Sequence, residues 1–355
     1  MRLTIRIAII ASWLLFLFLA LYLPSWGIFP YEEKSINLFA WGDTIDPAVL
    51  SEFEKKSGIN LRVSYYSSNE ELLVKMKATK GVGYDLILPS DYAVSLLKNA
   101  NLLQPLDRSK LDFFDNLNPS LLNHAFDPGN RFSIPFEWEV YGLGVDTNFF
   151  ANRPLPTSWK AIYDPGQIDY KIALNNDPIE AILFAAFYLF GKTDAITEEE
   201  FSKIRTLLLK QRSWVEAYSD FRPDYFIATE NCPVAISISA KIKSIQEAFP
   251  HVAFIIPEEG SFMTIENFCI PKSSTKAEYV YQLLNYLYTD TSILSHHETF
   301  GFLPATLSPR EQIDIADWEK KLLFLSREEL AKFHFIKKIF PQQRVIDLWV
   351  EVKSF

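Results

Sequence analysis

From Ile36 onward, short continuous apolar runs alternate with stretches whose apolar residues recur at helical spacing. Runs of the first kind mark buried strands and those of the second mark amphipathic helices. "INLFAW" (36–41) is strand-like, and "DPAVLSEFEKKSG" (46–58) follows as a helix with Asp46 as cap, Pro47 at the first position and Gly58 as stop. "INLRVSYY", a helix over "NEELLVKMKATKG", the run "YDLILPS" and a helix over "SDYAVSLLKNANLL" continue the series. This β-α-β-α-β order predicts a parallel sheet with helices on its faces.

Residues 133–146, "SIPFEWEVYGLGVD", form a long strand-like stretch with few breakers, suited to cross between two lobes. A second α/β unit starts at "KIALNND", with a helix over 178–190 and another over "TEEEFSKIRTLLLKQR", where Thr197 and Glu200 have capping-box spacing. "PVAISIS" and "VAFIIP" add strands, "MTIENFCIP" has the look of a second crossing, "KAEYVYQLLNYLYT" is an amphipathic helix, and 304–355 is helical in character. The pattern predicts an α/β chain of two lobes, 36–139 plus 265–310 and 140–264 plus 311–355, hinged by the two crossovers around an interlobe cleft. In open α/β sheets ligands bind beyond the carboxyl ends of the strands. That rule selects "WGDT" after the first strand, "PSDY" after the third and "NNDPIE" after the first strand of the second lobe.

Composition narrows the class. With 48% hydrophobic and 22% charged residues the 355-residue chain is globular, and its formal charge of −9 speaks against a nucleic-acid partner. A cationic ligand suits that balance better. Arg2 and Arg6 precede an uncharged, largely apolar run from Ile7 to Phe29, so 1–30 reads as a signal peptide or as an uncleaved membrane anchor. No cysteine follows the run, which excludes a lipoprotein anchor. Cys232 and Cys269 both lie in apolar strand-like runs and read as small buried hydrophobes, although an exported protein offers conditions for pairing.

The chain carries no P-loop, no G-x-G-x-x-G, no G-x-S-x-G elbow, no H-E-x-x-H and no C-x-x-C. His296 and His297 are adjacent, would point in different directions from a helix, and read as surface rather than as a metal site. No dense run of acids suits a hard cation. Each selected loop has a structural and a functional reading. Trp41 and Asp43 are a core ring and a turn former, or an aromatic face and a carboxylate for one ligand. Ser90 or Asp91 caps a helix that Tyr92 covers, or Ser90 and Tyr92 touch a ligand. Asp177 as N-cap puts Pro178 at N1 and Glu180 at N3, a capping arrangement with lone pairs left over for binding. Carboxylates interleaved with Trp41, Tyr92, Trp138 and Tyr141 suit an organic ammonium.

"LFAWGDTIDPAVLSEFEKKSGI", "YDLILPSDYAV", "SKLDFFDNLNPSLLNHAFDPGNRFSIPFEW" and "GLGVDTN" together resemble the spermidine/putrescine-binding branch of the periplasmic solute-binding proteins of bacterial ABC transporters, from about Ile36 to the C-terminus. The resemblance implies a periplasmic-binding-protein fold that closes on a polyamine and delivers it to a membrane permease, with no reaction catalysed and no cofactor. It implies ligand contacts from Trp41, Asp43, Ser90, Tyr92, Asp177, Glu180, Glu266 and Phe302. The sequence departs from the family pattern at Gly42, where a hydroxyl is usual, and at Thr264 and near Ile238, where the pattern has Trp. Other readings stay open: a receptor of the same fold for another organic cation, a thiamine-like compound or a metal, a membrane-anchored hydrolase or transferase, and a sensor or scaffold held by an uncleaved leader.

Overall fold

In the computed structural model, residues 11–18, 34–42, 44–164, 169–219, 222–308 and 317–354 are described. Met1–Ser35 and Ile36–Phe355 separate into two compact units. In the first, residues 11–18 are helical. Most of the expected signal or anchor lies outside the described residues, and among the described residues no helix is long and apolar enough to cross a membrane.

The second unit begins as the pattern predicts: β1 (Ser35–Trp41), α1 (Pro47–Ser57), β2 (Asn60–Tyr66), α2 (Asn69–Thr79), β3 (Leu86–Ile87) and α3 (Asp91–Asn99). Asp46 accepts from Ala48 N at 2.8 Å, and Gly58 ends α1 at φ 69°, a left-handed conformation that glycine adopts without strain. β1 lies between β2 and β3, with β1 and β3 parallel in the register Leu38↔Leu86.

Three short 3-10 turns lead to the 13-residue β4 (Ile134–Asp146), buried along its whole length. There follow α4 (Lys160–Tyr163), β5 (Ile172–Asn175), α5 (Pro178–Phe190), α6 (Glu198–Gln211), β6 (Val215–Ser219), α7 (Pro223–Ala228), β7 (Val234–Ile238), α8 (Ser239–Gln246) and β8 (Val252–Ile255). β9 (Ser261–Phe268), α9 (Ala277–Leu287), α10 (Asp290–Phe300), β10 (Leu303–Pro304), α11 (Asp317–Leu323), α12 (Arg327–Leu330), β11 (Phe333–Phe335) and α13 (Gln342–Lys353) complete the described order. The Thr197–Glu200 capping box forms in both directions, at 3.2 and 2.8 Å.

β4 organises the larger sheet, whose order is β11-β9-β4-β7-β5-β6. Up to Val140 it pairs with β9 and, at Glu137 and Trp138, with β10; it pairs with β7 from Tyr141 and with β8 from Leu143. The strand therefore changes both neighbours between Trp138 and Leu143. Hydrophobic packing changes at the same place: Phe136, Trp138 and Val140 join the core around β1–β3, whereas Tyr141, Leu143 and Val145 join the core under α5, α6 and α13. On the opposite face of the second sheet, Ile227, Ala235 and Ile242 extend the first core beneath α7 and α8.

The two stretches expected to cross between lobes lie side by side as antiparallel strands, because backbone groups buried along β4 must find partners in a ladder. Two expectations need correction. The tail is not wholly helical: Phe333–Phe335 adds β11 to the sheet edge, parallel to β9, where partner availability outweighs a run too short to show periodicity. His296 and His297 are buried, not at the surface. α10 is enclosed on both sides, so His296 bonds Glu137 through Nε2 while His297 Nδ1 lies 2.7 Å from Phe302 O. Burial pushes His296 down to about 3 and the Glu137 carboxyl well above its usual range, which describes a neutral hydrogen-bonded pair. Cys232 and Cys269 are buried and unpaired, as small hydrophobes would be.

Close packing at the neighbour exchange leaves no room beside Gly142, where an added Cβ would stand 2.6 Å from Phe254 Cζ and 2.7 Å from Ile255 O. Gly142→Ala is expected to destabilise the chain by about 1–3 kcal/mol, read as a lower urea midpoint at unchanged slope. An unchanged midpoint would mean that β4 and β8 separate freely.

Candidate functional site

A cleft of about 1010 Å³ opens where the sheets meet. Trp41, Ser90, Tyr92, Asp177, Glu180, Glu266 and Phe302 all line it; Asp43 lies outside the described residues. Gly42, Ile238 and Thr264, the three positions that depart from the family pattern, also stand on its wall.

On one side, β1 ends at Trp41, whose indole Nε1 donates to Glu266 Oε2 at 3.0 Å and whose ring lies 4.6 Å from that of Tyr66. Tyr66 is locked in turn by its hydroxyl donating to Leu88 O at 2.5 Å. Ser90 occupies the N-cap position of α3 but makes no capping bond with its side chain; it donates to Asn69 Oδ1 at 2.9 Å instead. The Asp91 carboxylate accepts from Ile265 N at 2.9 Å and so ties α3 to β9. Phe302 follows Gly301, whose φ of 78° turns the chain out of α10.

On the other side, β5 delivers Asn175 and Asn176 to the start of α5. Asp177 caps that helix, accepting from Ile179 N at 2.7 Å and from Glu180 N at 3.0 Å. Both bonds end on Oδ1, which leaves Oδ2 for other use. Glu180 has the N3 position of a capping box, but its oxygens are taken elsewhere: Oε1 accepts from the Tyr141 hydroxyl at 2.6 Å and Oε2 from Asn175 Nδ2 at 2.7 Å. Trp349 of α13 donates to Asn176 Oδ1 at 2.8 Å and fixes the loop from behind.

Among the described residues, seven carboxylates line the cleft, Glu70, Glu71, Asp91, Glu139, Asp177, Glu180 and Glu266, against two ammonium groups, Lys241 and Lys337. Such a wall repels itself. Burial and, next, the Asp177 charge raise Glu180 to about 8. Burial raises Asp177, and the Glu70 charge adds to the rise. Glu139 stands at about 8 and Asp91 at about 7, chiefly through burial. Glu266 is raised by burial and then by Glu137, Glu139 and Asp91. Among the described residues no group of three or more His, Cys, Asp or Glu side chains is arranged to hold a metal ion.

Sequence reasoning passed over Glu139, Glu70, Tyr66 and Lys241. Glu70 sits in an ordinary helical first turn, and nothing local distinguishes it. Glu139 did carry a signal: it is a charged residue inside the apolar strand "FEWEVYG", where burial without a partner is costly.

A three-stranded and an eight-stranded sheet, the latter built on the long strand β4, with an acid-and-ring-lined cleft at their junction, define the class of two-lobed solute receptors. The chain belongs to the bacterial extracellular solute-binding protein family, whose model matches residues 48–322. It is 31% identical over 342 residues to the putrescine-binding periplasmic protein SpuD of Pseudomonas aeruginosa, covering 91% of this chain and 93% of that one. With the spermidine/putrescine-binding periplasmic protein of Escherichia coli it shares 27% identity over 303 residues, 84% of this chain and 85% of the other. The fold matches the spermidine/putrescine substrate-binding protein PotD of Streptococcus pneumoniae with a TM-score of 0.78 at 24% identity, covering 90% and 99% of the two chains. The family is one of solute binding and transport, not of enzymes.

Because Asp91, Glu139 and Glu180 keep protons that the unfolded chain releases near pH 4, the folded state binds more protons up to about pH 8, and stability falls as pH rises through that window. The buried histidines act in the opposite direction only below about pH 6.5. The melting temperature of the ligand-free protein is therefore expected to drop between about pH 6.5 and pH 8. Glu180→Gln should reduce that drop, and a rise in its place would show that these carboxyls are ionised in the fold.

Proposed function

We propose that the chain captures a polyamine, spermidine or putrescine, in the periplasm and hands it to the permease of an ABC transporter. The observation that carries this reading is the gathering of acids and rings in one cleft: Asp177 and Glu180 on one side, and Glu266 with Trp41, Tyr92 and Phe302 on the other. Ammonium groups would meet the carboxylates while methylenes lie against the rings. The names of the relatives point the same way. Net charge supports it too, since a cleft lined largely by acids concentrates polycations.

The lobes of this reading are 36–139 plus 265–310 and 140–264 plus 311–355, with the β4 neighbour exchange as the hinge. A cation touching both walls stabilises the closed arrangement by its differential affinity for the two states. With no ligand, Glu70 on α2 and Asp177 on α5 face each other as like charges, which favours opening. Trp41 and Asp43 after the first strand, with Ser90 and Tyr92 after the third, supply the first lobe's contacts. Residues 1–30 direct export, and if uncleaved hold the receptor at the membrane.

Calorimetric titration of the purified chain with spermidine and putrescine is expected to show Asp177→Asn and Glu180→Gln each weakening binding by about 1–3 kcal/mol, as for lost charge-assisted bonds. Asp177→Asn should keep the melting temperature, because an asparagine oxygen caps as well as a carboxylate. Unchanged affinity with a lowered melting temperature would reduce the pair to structural caps. Binding of thiamine or a divalent metal in preference to both polyamines would assign the cleft to a different solute.

A further inference from the structure

β4 presents a carboxylate that neither the fold nor the two-ended reading of the cleft uses. Glu139 lines the cleft and is only 8% exposed, yet its Oε2 is buried without a hydrogen-bond donor. The Lys241 charge offsets only part of that burial, and an ionisable group so placed destabilises the chain unless something brings it a donor. For packing alone, an apolar side chain of similar volume would serve better.

Its position in the row is informative. Alternate side chains of a strand share a face, so Glu137, Glu139 and Tyr141 stand in line along β4. Glu137 is opposite Glu266 in the ladder with β9, and Glu139 is opposite Thr264. At the far end Tyr141 donates to Glu180. Glu139 therefore lies between the Glu266 and Glu180 ends, about 7 Å of strand from each row. Its electrostatic reach covers both, since its charge raises the carboxyls of Glu266 and of Glu180. The groups facing it are Glu137 on its own strand, Glu266 on β9, Glu180 on α5 and Lys241 on α8.

We propose that Glu139 is a third ammonium-binding carboxylate, set between the two ends of the cleft, so that the receptor selects a linear triamine with an internal secondary ammonium over a diamine. This inference rests on the polyamine reading. A diamine spanning the ends lays methylenes against Glu139, which then stays protonated and unbonded. A triamine brings N–H donors and a positive charge to the same spot, so the carboxyl gives up its proton to solvent and gains a charge-assisted bond. Selectivity arises because the site leaves a buried polar group unpaired with the wrong ligand.

Titration of the full chain with spermidine and with putrescine is the test. Spermidine is expected to bind roughly ten-fold tighter or more, and Glu139→Gln to remove most of that advantage while changing putrescine affinity by less than about three-fold. Repeating the titrations at pH 7 in buffers of different ionisation heat, on the unsubstituted chain, should show more protons released by spermidine than by putrescine. Equal losses for both ligands on Glu139→Gln, no loss for spermidine, or equal proton release would overturn the proposal while leaving polyamine capture standing. Failure of the unsubstituted chain to bind either polyamine would overturn both.

Discussion

β4 is the constraint on which everything else depends. A buried strand must pair its backbone on both sides, and β4 does so with one set of neighbours up to Val140 and a different set from Tyr141. Two sheets are thereby fused through a single continuous strand. Residues of β4 and of its neighbours on both sides of the exchange, Glu139 and Tyr141 on β4, Thr264 and Glu266 on β9 and Ser237 and Ile238 on β7, line the cleft, so the pairing of one strand sets the shape of the site.

Acids concentrated beside the neighbour exchange make the cleft a compromise. Asp91, Glu137, Glu139, Asp177, Glu180 and Glu266 are all raised by burial. Tyr141, Asn175 and Trp41 answer part of that cost with hydrogen bonds to Glu180 and Glu266. The remainder is a cost of burial that the fold carries without an internal partner, and any group that brought positive charge to the cleft would lower it.

Much of this was legible in the residues. Asp46, Pro47 and Gly58 wrote their helix correctly, and Thr197 with Glu200 wrote theirs, because caps are local physics. The loops chosen by the carboxyl-end rule all reached the cleft wherever they are described. What escaped was non-local. Phe333–Phe335 is a strand only because β9 has a free edge. His296 is buried only because Glu137, 159 positions away, meets it. Glu180 has capping-box spacing, but Tyr141 and Asn175 compete for its oxygens and win. Glu139 stood in plain view as a charge in an apolar strand and was read as part of the crossing.

The helix cap at Asp177 spends only Oδ1. Folding therefore draws on one oxygen of this side chain and leaves the other, and the charge they share, outside the cap. An asparagine there would keep the cap and remove the charge. The electrostatic character of this point of the cleft is thus free to change by a single substitution that the buried framework does not oppose.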